Sequence, residues 1–188
     1  MNMYLNTAYP GPWRHPAYNN WNSNDWSYHW NPHYYSWFGS SASPYYRYIK
    51  LMDYGAQPFV VDIEEAAEQN RTFRTALWTG KYFQVTLMSI NVGDDIGLEV
   101  HPNTDQFIRI EEGHGLVQMG DRKDHLNFQA MVNDDDAIMI PAGKWHNVIN
   151  TGNKPLKVSV IYAPPEHPFG TVHETKAAAM SAEGQRHD

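Results

Sequence analysis

After Gly93 the chain renews a short run of alternating apolar and polar residues every eight to twelve positions, and this rhythm limits its fold more than any other feature. A period of two sends successive side chains to opposite faces of a strand, and short strands at this spacing close into a sandwich or barrel. The runs cover 97–101, 106–111, 115–119, 126–132, 137–140, 146–149 and 156–162. Gly113, Gly120-Asp121, the stretch 133–136 and Gly152-Asn153 mark the bends between them. Two earlier strands, 73–78 and 82–92, flank a two-residue turn at Thr79-Gly80 and read as a hairpin. Helical periods are absent here, so the fold class is all-β.

What precedes the strands is different in kind. Residues 1–50 hold five of the seven Trp and nine of the twelve Tyr among Asn, Ser and Pro, while Leu5 and Ile49 are nearly the only aliphatics. This arm carries a charge of +2 and the remainder −9. Without aliphatics it builds no conventional core, and it reads either as a flexible tail or as an adhesive extension that docks through its aromatic rings. His15, His29 and His33 lack ligand-like spacing and read as surface residues. A linker over 51–72 contains one short helix, 63–69, with Asp62 as its cap and acids in its first turn. The strand-rich domain spans 73–163. Beyond it, 164–188 is a Pro-containing loop followed by a solvated or weakly helical tail, with His167 and His173 placed to fold back over the open end of that domain.

Composition removes several classes of function. The net charge of −7, with no Lys or Arg cluster, argues against nucleic acid and anionic membrane surfaces as partners. No run of about eighteen apolar residues is present to span a bilayer. With no cysteine, disulfides, thiolate metal sites and cysteine nucleophiles are excluded. The first residues show no basic segment followed by an apolar run, so the expectation is a cytoplasmic protein, with a bacterial coat or surface layer as the alternative.

The chemistry concentrates in two pieces. In residues 93–113, Glu99 and His101 stand two apart in an apolar alternation and so share one strand face, and Gln106 opens the next run. In residues 135–150, His146 follows a Pro-Ala-Gly turn. Two imidazoles, a carboxylate and an amide oxygen form a donor set for a divalent metal.

These two pieces resemble the motif pair of the cupins. Gly93, Glu99, His101, Gln106 and Gly113 fall on the frame of the first motif, and Pro141, Gly143, His146 and Asn150 on that of the second, with Asp135 where a glycine would open it. The resemblance covers about 73–163 and implies a double-stranded β-helix, the jelly-roll barrel, in a single copy. Its usual three-His, one-Glu ligand set becomes Glu99, His101, Gln106 and His146 here, with the formal ligand charge kept at minus one. An amide in place of an imidazole makes the site harder and its hold on the metal weaker. A barrel that keeps the fold but no metal is the alternative.

By resemblance the cofactor is a divalent transition metal, Mn, Fe, Ni or Zn, and the partners are a small-molecule substrate and a second copy of the chain in a homodimer or higher homo-oligomer. Ile108, Ile110 and Val148 then form an apolar floor. Glu99 is a ligand or, off the metal, a general base in an apolar setting. Tyr162 and His167 are the further catalytic candidates. Three functions follow: isomerase, epimerase or lyase chemistry on a sugar- or keto-acid-like molecule; a metal-dependent dioxygenase; and a non-catalytic assembly protein that works through its aromatic arm.

Overall fold

The computed structural model describes residues 48–184. The aromatic arm expected over 1–50, with its three histidines, lies outside the described residues except for its last three positions.

Asp62 caps helix α1 (Ile63–Gln69) by accepting the Glu65 backbone N–H at 3.2 Å, and Glu64 and Glu65 place negative charge at its first turn. Ala66 and Ala67 are fully buried and seat the helix closely on Leu77, Leu87 and Ile49. The strands follow in order: β1 (Arg74–Thr79), β2 (Gln84–Ile90), β3 (Asp105–Glu112), β4 (His114–Gly120), β5 (Phe128–Asn133), β6 (Ala137–Ile140), β7 (Trp145–Asn150), β8 (Leu156–Ala163) and β9 (Val172–His173). Helix α2 (Lys176–Gly184) forms where the sequence suggests a solvated or weakly helical tail. Strand β9 was not expected; it pairs antiparallel with β1 and brings His173 opposite Arg74.

Two sheets enclose the core, one ordered β6-β3-β8-β2-β1-β9 and the other β5-β4-β7. Every pairing is antiparallel. The register sorts the interior into rungs. Gln84, Tyr162, Gln106 and Ile140 are cross-strand neighbours; then come Thr86, Val160, Ile108 and Ile138; then Met88, Val158 and Ile110; then Ile90 and Leu156. Ile108, Ile110 and Val148 lie in this core as expected, each 1% exposed or less.

Two local expectations are corrected. The β1–β2 connection is four residues long, 80–83, closed by the Gly80 N–H on the Phe83 carbonyl at 3.0 Å. The stretch 97–101 is no regular strand: it touches β7 through a single bridge, Glu99 with His146, preceded by another from Asp95 to Ile149. Gly97, at φ 93°, breaks the ladder between them, so the two intervals hold unequal numbers of residues. The Asp95 carboxylate holds the kink by accepting the Gly97 N–H at 2.7 Å.

Candidate metal centre

The motif glycines are where the backbone needs a left-handed turn. Gly93, Gly113 and Gly143 have φ of 75°, 102° and 80°, and Asp135, in the glycine place of the second motif, is the one non-glycine with positive φ among the described residues, at 69°. Aspartate tolerates that region better than most residues, and its side chain pairs with Arg109. Asn150, the last motif position, is structural: its amide donates to the Ile90 and Lys154 carbonyls at 2.9 Å each and its oxygen accepts the Gly152 N–H at 2.9 Å.

With these turns set, Glu99 and His146 of β7 exchange backbone hydrogen bonds of 3.0 and 2.9 Å. Glu99 Oε1 then lies 3.2 Å from His146 Nε2 and 3.3 Å from His101 Nε2. One donor atom each from Glu99, His101 and His146 falls within 4.8 Å of the others. Three of the four expected ligands therefore converge, although His146 and Glu99 are 47 residues apart in the chain.

The far side of each ligand is held as well. His146 Nδ1 faces the Lys144 carbonyl at 2.9 Å, Glu99 Oε2 lies 4.0 Å from the Arg74 guanidinium, and His101 Nδ1 lies 3.5 Å from Glu166 Oε1. A carbonyl only accepts, so in the neutral ring His146 Nδ1 carries the proton and Nε2 presents a lone pair to a carboxylate oxygen. Two acceptors face one another at hydrogen-bond distance when a proton or a cation lies between them. The arrangement thus fits a metal through the chemistry of its donors.

The electrostatics agree. Burial pushes the Glu99 carboxyl up, but the neighbouring His101 and His146 rings and the nearby Arg74 charge hold it well below the usual carboxylate range. Burial pushes His101 down, yet the carboxylates of Glu166 and Glu99 outweigh that and raise it to about 9. Without metal, His101 is a cation between two anions.

Gln106, the fourth expected ligand, is 3% exposed on β3, directly across from Tyr162. Neither its amide oxygen nor its amide nitrogen has a hydrogen-bond partner among the described residues. An amide buried in this way costs about 1–3 kcal/mol unless something binds it, which suits a donor kept for a ligand. The Tyr162 ring meets His101 edge-on at 5.6 Å and His167 edge-on at 4.9 Å between centroids. His167 is buried, and the Gln84 side chain pins its backbone by donating to the His167 carbonyl at 2.9 Å and accepting its N–H at 3.0 Å. His173 is in β9 and belongs to the sheet edge.

Arg74 and Glu166 were missed by sequence reasoning. Arg74 opens a strand buried on both faces, so no alternation flags its inward position. Glu166 sits in the Pro-Pro-Glu-His-Pro loop, where a lone acid between prolines was the available signal.

Comparison with known proteins agrees with this geometry. A family model described as a Cupin domain matches residues 86–162. YrkC of Bacillus subtilis (strain 168), an uncharacterised protein, is 70% identical over 137 residues, which is 73% of this chain and 74% of that one. The uncharacterised protein L612 of Acanthamoeba polyphaga mimivirus is 39% identical over 119 residues, 62% of this chain and 71% of its own. The crystal structure of BH2720 from Bacillus halodurans, at 1.41 Å, matches with a TM-score of 0.69 and 68% identity, covering 69% of this chain and 98% of that one. With two facing antiparallel sheets, both motif frames in register and a Glu/His/His cluster between them, the chain belongs to the cupin superfamily.

Proposed function

We propose that this protein binds a divalent transition metal through Glu99, His101, Gln106 and His146 and uses it in isomerase, epimerase or lyase chemistry on a small sugar- or keto-acid-like molecule. The observation that carries the reading is the convergence of Glu99 Oε1 with the Nε2 atoms of both histidines, each ligand being held from behind by another group. When bound, such a metal polarises a carbonyl or hydroxyl oxygen. The chain's own part is to orient the substrate and handle its protons. Gln106 offers one amide oxygen and two N–H donors, and Tyr162 brings a proton-bearing phenol beside His101. The apolar floor of Ile108, Ile110 and Val148 keeps water from the inner side, where polar interactions are strengthened.

A second reading rests on the cluster itself. Two histidines and one carboxylate match the facial triad of iron oxygenases, and in that case the reaction consumes oxygen. The third possibility, an assembly protein working through the arm, takes over if no metal binds. Self-association as a homodimer is part of the proposal, to be read by sedimentation.

The test is elemental analysis of untagged full-length protein after growth with manganese, iron, nickel and zinc. Close to one metal per chain is expected. Protein that stays metal-free after exposure to each ion overturns the enzymatic readings. Turnover of uronates or keto acids without oxygen uptake then separates the first reading from the second.

A further inference from the structure

Glu166 has no part in the four-donor set, yet its carboxylate touches the cluster. Its Oε1 lies 3.5 Å from His101 Nδ1, and its Oε2 accepts the Thr104 hydroxyl at 3.0 Å, from a residue 62 positions away. The loop that carries it is braced on both sides. Gln84 pins the backbone of His167, the next residue, and Asp53 accepts the Gly170 N–H at 2.9 Å while also taking the Thr79 hydroxyl at 2.6 Å. Glu166 is therefore presented at a set place.

An imidazole that ligates through one nitrogen needs a partner for the N–H on the other, and that partner fixes both the tautomer and the ring's orientation. His146 has the Lys144 carbonyl for this purpose. For His101 the structure provides a carboxylate, which is the stronger acceptor and makes the ligating nitrogen more basic. It also adds a second negative charge beside that of Glu99, with Arg74 as the buried cation on the opposite side.

Building on the metal-site reading above, we propose that Glu166 is the positioning residue of His101: its carboxylate accepts from the Nδ1–H, so that Nε2 is the metal-facing atom and the ring stays turned toward Glu99 and His146. A role confined to anchoring the loop through Thr104 predicts different behaviour. The Glu166→Gln side chain still accepts from Thr104 through its amide oxygen but loses the charge offered to His101, whereas Thr104→Val removes the anchor and leaves the charge.

The experiment uses full-length protein stripped with a chelator and titrated with Co²⁺. Affinity is read by competition with a chromophoric chelator, and geometry by the visible absorption band. For wild type, one Co²⁺ per chain is expected. Glu166→Gln weakens binding roughly tenfold to a hundredfold and changes the band, as loss of an outer partner typically does. Thr104→Val and the remote Glu64→Gln stay near wild type. Metal-free unfolding temperatures, and Glu166→Asp as a conservative rescue, separate this effect from a folding defect. As a readout independent of affinity, long-range ¹H–¹⁵N spectra of the zinc-loaded protein show His101 protonated at Nδ1 and metallated at Nε2. Wild-type affinity and spectrum in Glu166→Gln, or metal on Nδ1 of His101, overturn the proposal while leaving the metal site standing. Failure of wild type to bind Co²⁺ overturns the metal site, and the proposal with it.

Discussion

The two ends of one barrel interior are built from the same strands and obey opposite rules. At one end β2, β8 and β3 contribute Gln84, Tyr162 and Gln106 to a single rung; at the other they contribute Ile90, Leu156 and, one rung nearer the middle, Ile110. The apolar end stabilises the protein by removing hydrocarbon from water, at roughly 25 cal/mol per Å². The polar end holds buried groups that cost free energy until they are paired, and the Gln106 amide has no hydrogen-bond partner among the described residues. Stability is thus concentrated at one pole and chemistry at the other, with register carrying the pattern from strand to strand.

The largest effect expected from breaking this division is at the apolar pole. Ile110→Ala, at a fully buried position, should lower unfolding free energy by about 2–5 kcal/mol in denaturant melts while leaving metal stoichiometry unchanged. A loss of metal with the same substitution would show that the two poles are coupled.

At the polar pole, His146→Ala should do the reverse. Structural zinc sites with four protein donors bind with about 10–16 kcal/mol, so one donor is worth near 3 kcal/mol and its loss weakens metal binding by about a hundredfold or more. Chelator competition reads this directly.

Gln106→Leu is the sharper test because its two effects have opposite sign. Removing an unpaired buried amide should stabilise the metal-free protein by about 1 kcal/mol, and the same change should weaken metal binding. Melts with and without chelator distinguish the two. If the metal-free variant is destabilised, the amide is paired and is not reserved for a ligand.

The last effect is a pH dependence, spread over several pH units. His101 is raised from 6.5 to about 9 in the folded state, so its contribution is complete below about pH 6.5 and is lost as pH rises through 9. The His101 hydrogen bond holds Glu166 down to about 2, so its contribution is complete above 4.5 and lost as pH falls through 2. Metal-free protein should lose stability between pH 6.5 and 9, while metal affinity rises over the same window as the His101 proton becomes easier to displace. Thermal melts with chelator and metal titrations at pH 6 and 9 measure both slopes.

Much of this was readable in the chain because it is local. Helix α1 occupies the expected residues since its cap, acids and alanines are contiguous, and β6 begins and ends between turn residues that announce it. The motif glycines were legible because left-handed backbone strongly favours glycine, and Asp135 shows the one exception the frame allows. Glu99, His101 and His146, which the structure brings together, were candidates from their spacing and the motif resemblance, with Gln106 beside them.

Arg74 and Glu166 were not, since their roles depend on which strand or loop lies beside which. Nor did alternation show that the stretch around Gly97 is kinked and only bridged, because a glycine adds no side chain to the apolar and polar pattern.

By itself the sequence determined the strand rhythm, the placement of most turns and a set of candidate donors, because periodicity and backbone preference act over a few neighbouring residues. Only the tertiary structure decided which atoms face one another: that one oxygen of Glu99 points at both histidines while the other faces Arg74, and that a carbonyl, a guanidinium and a carboxylate stand behind the three clustered side chains. Those choices rest on distances between residues remote in the chain, which are set when the two sheets close on a common core.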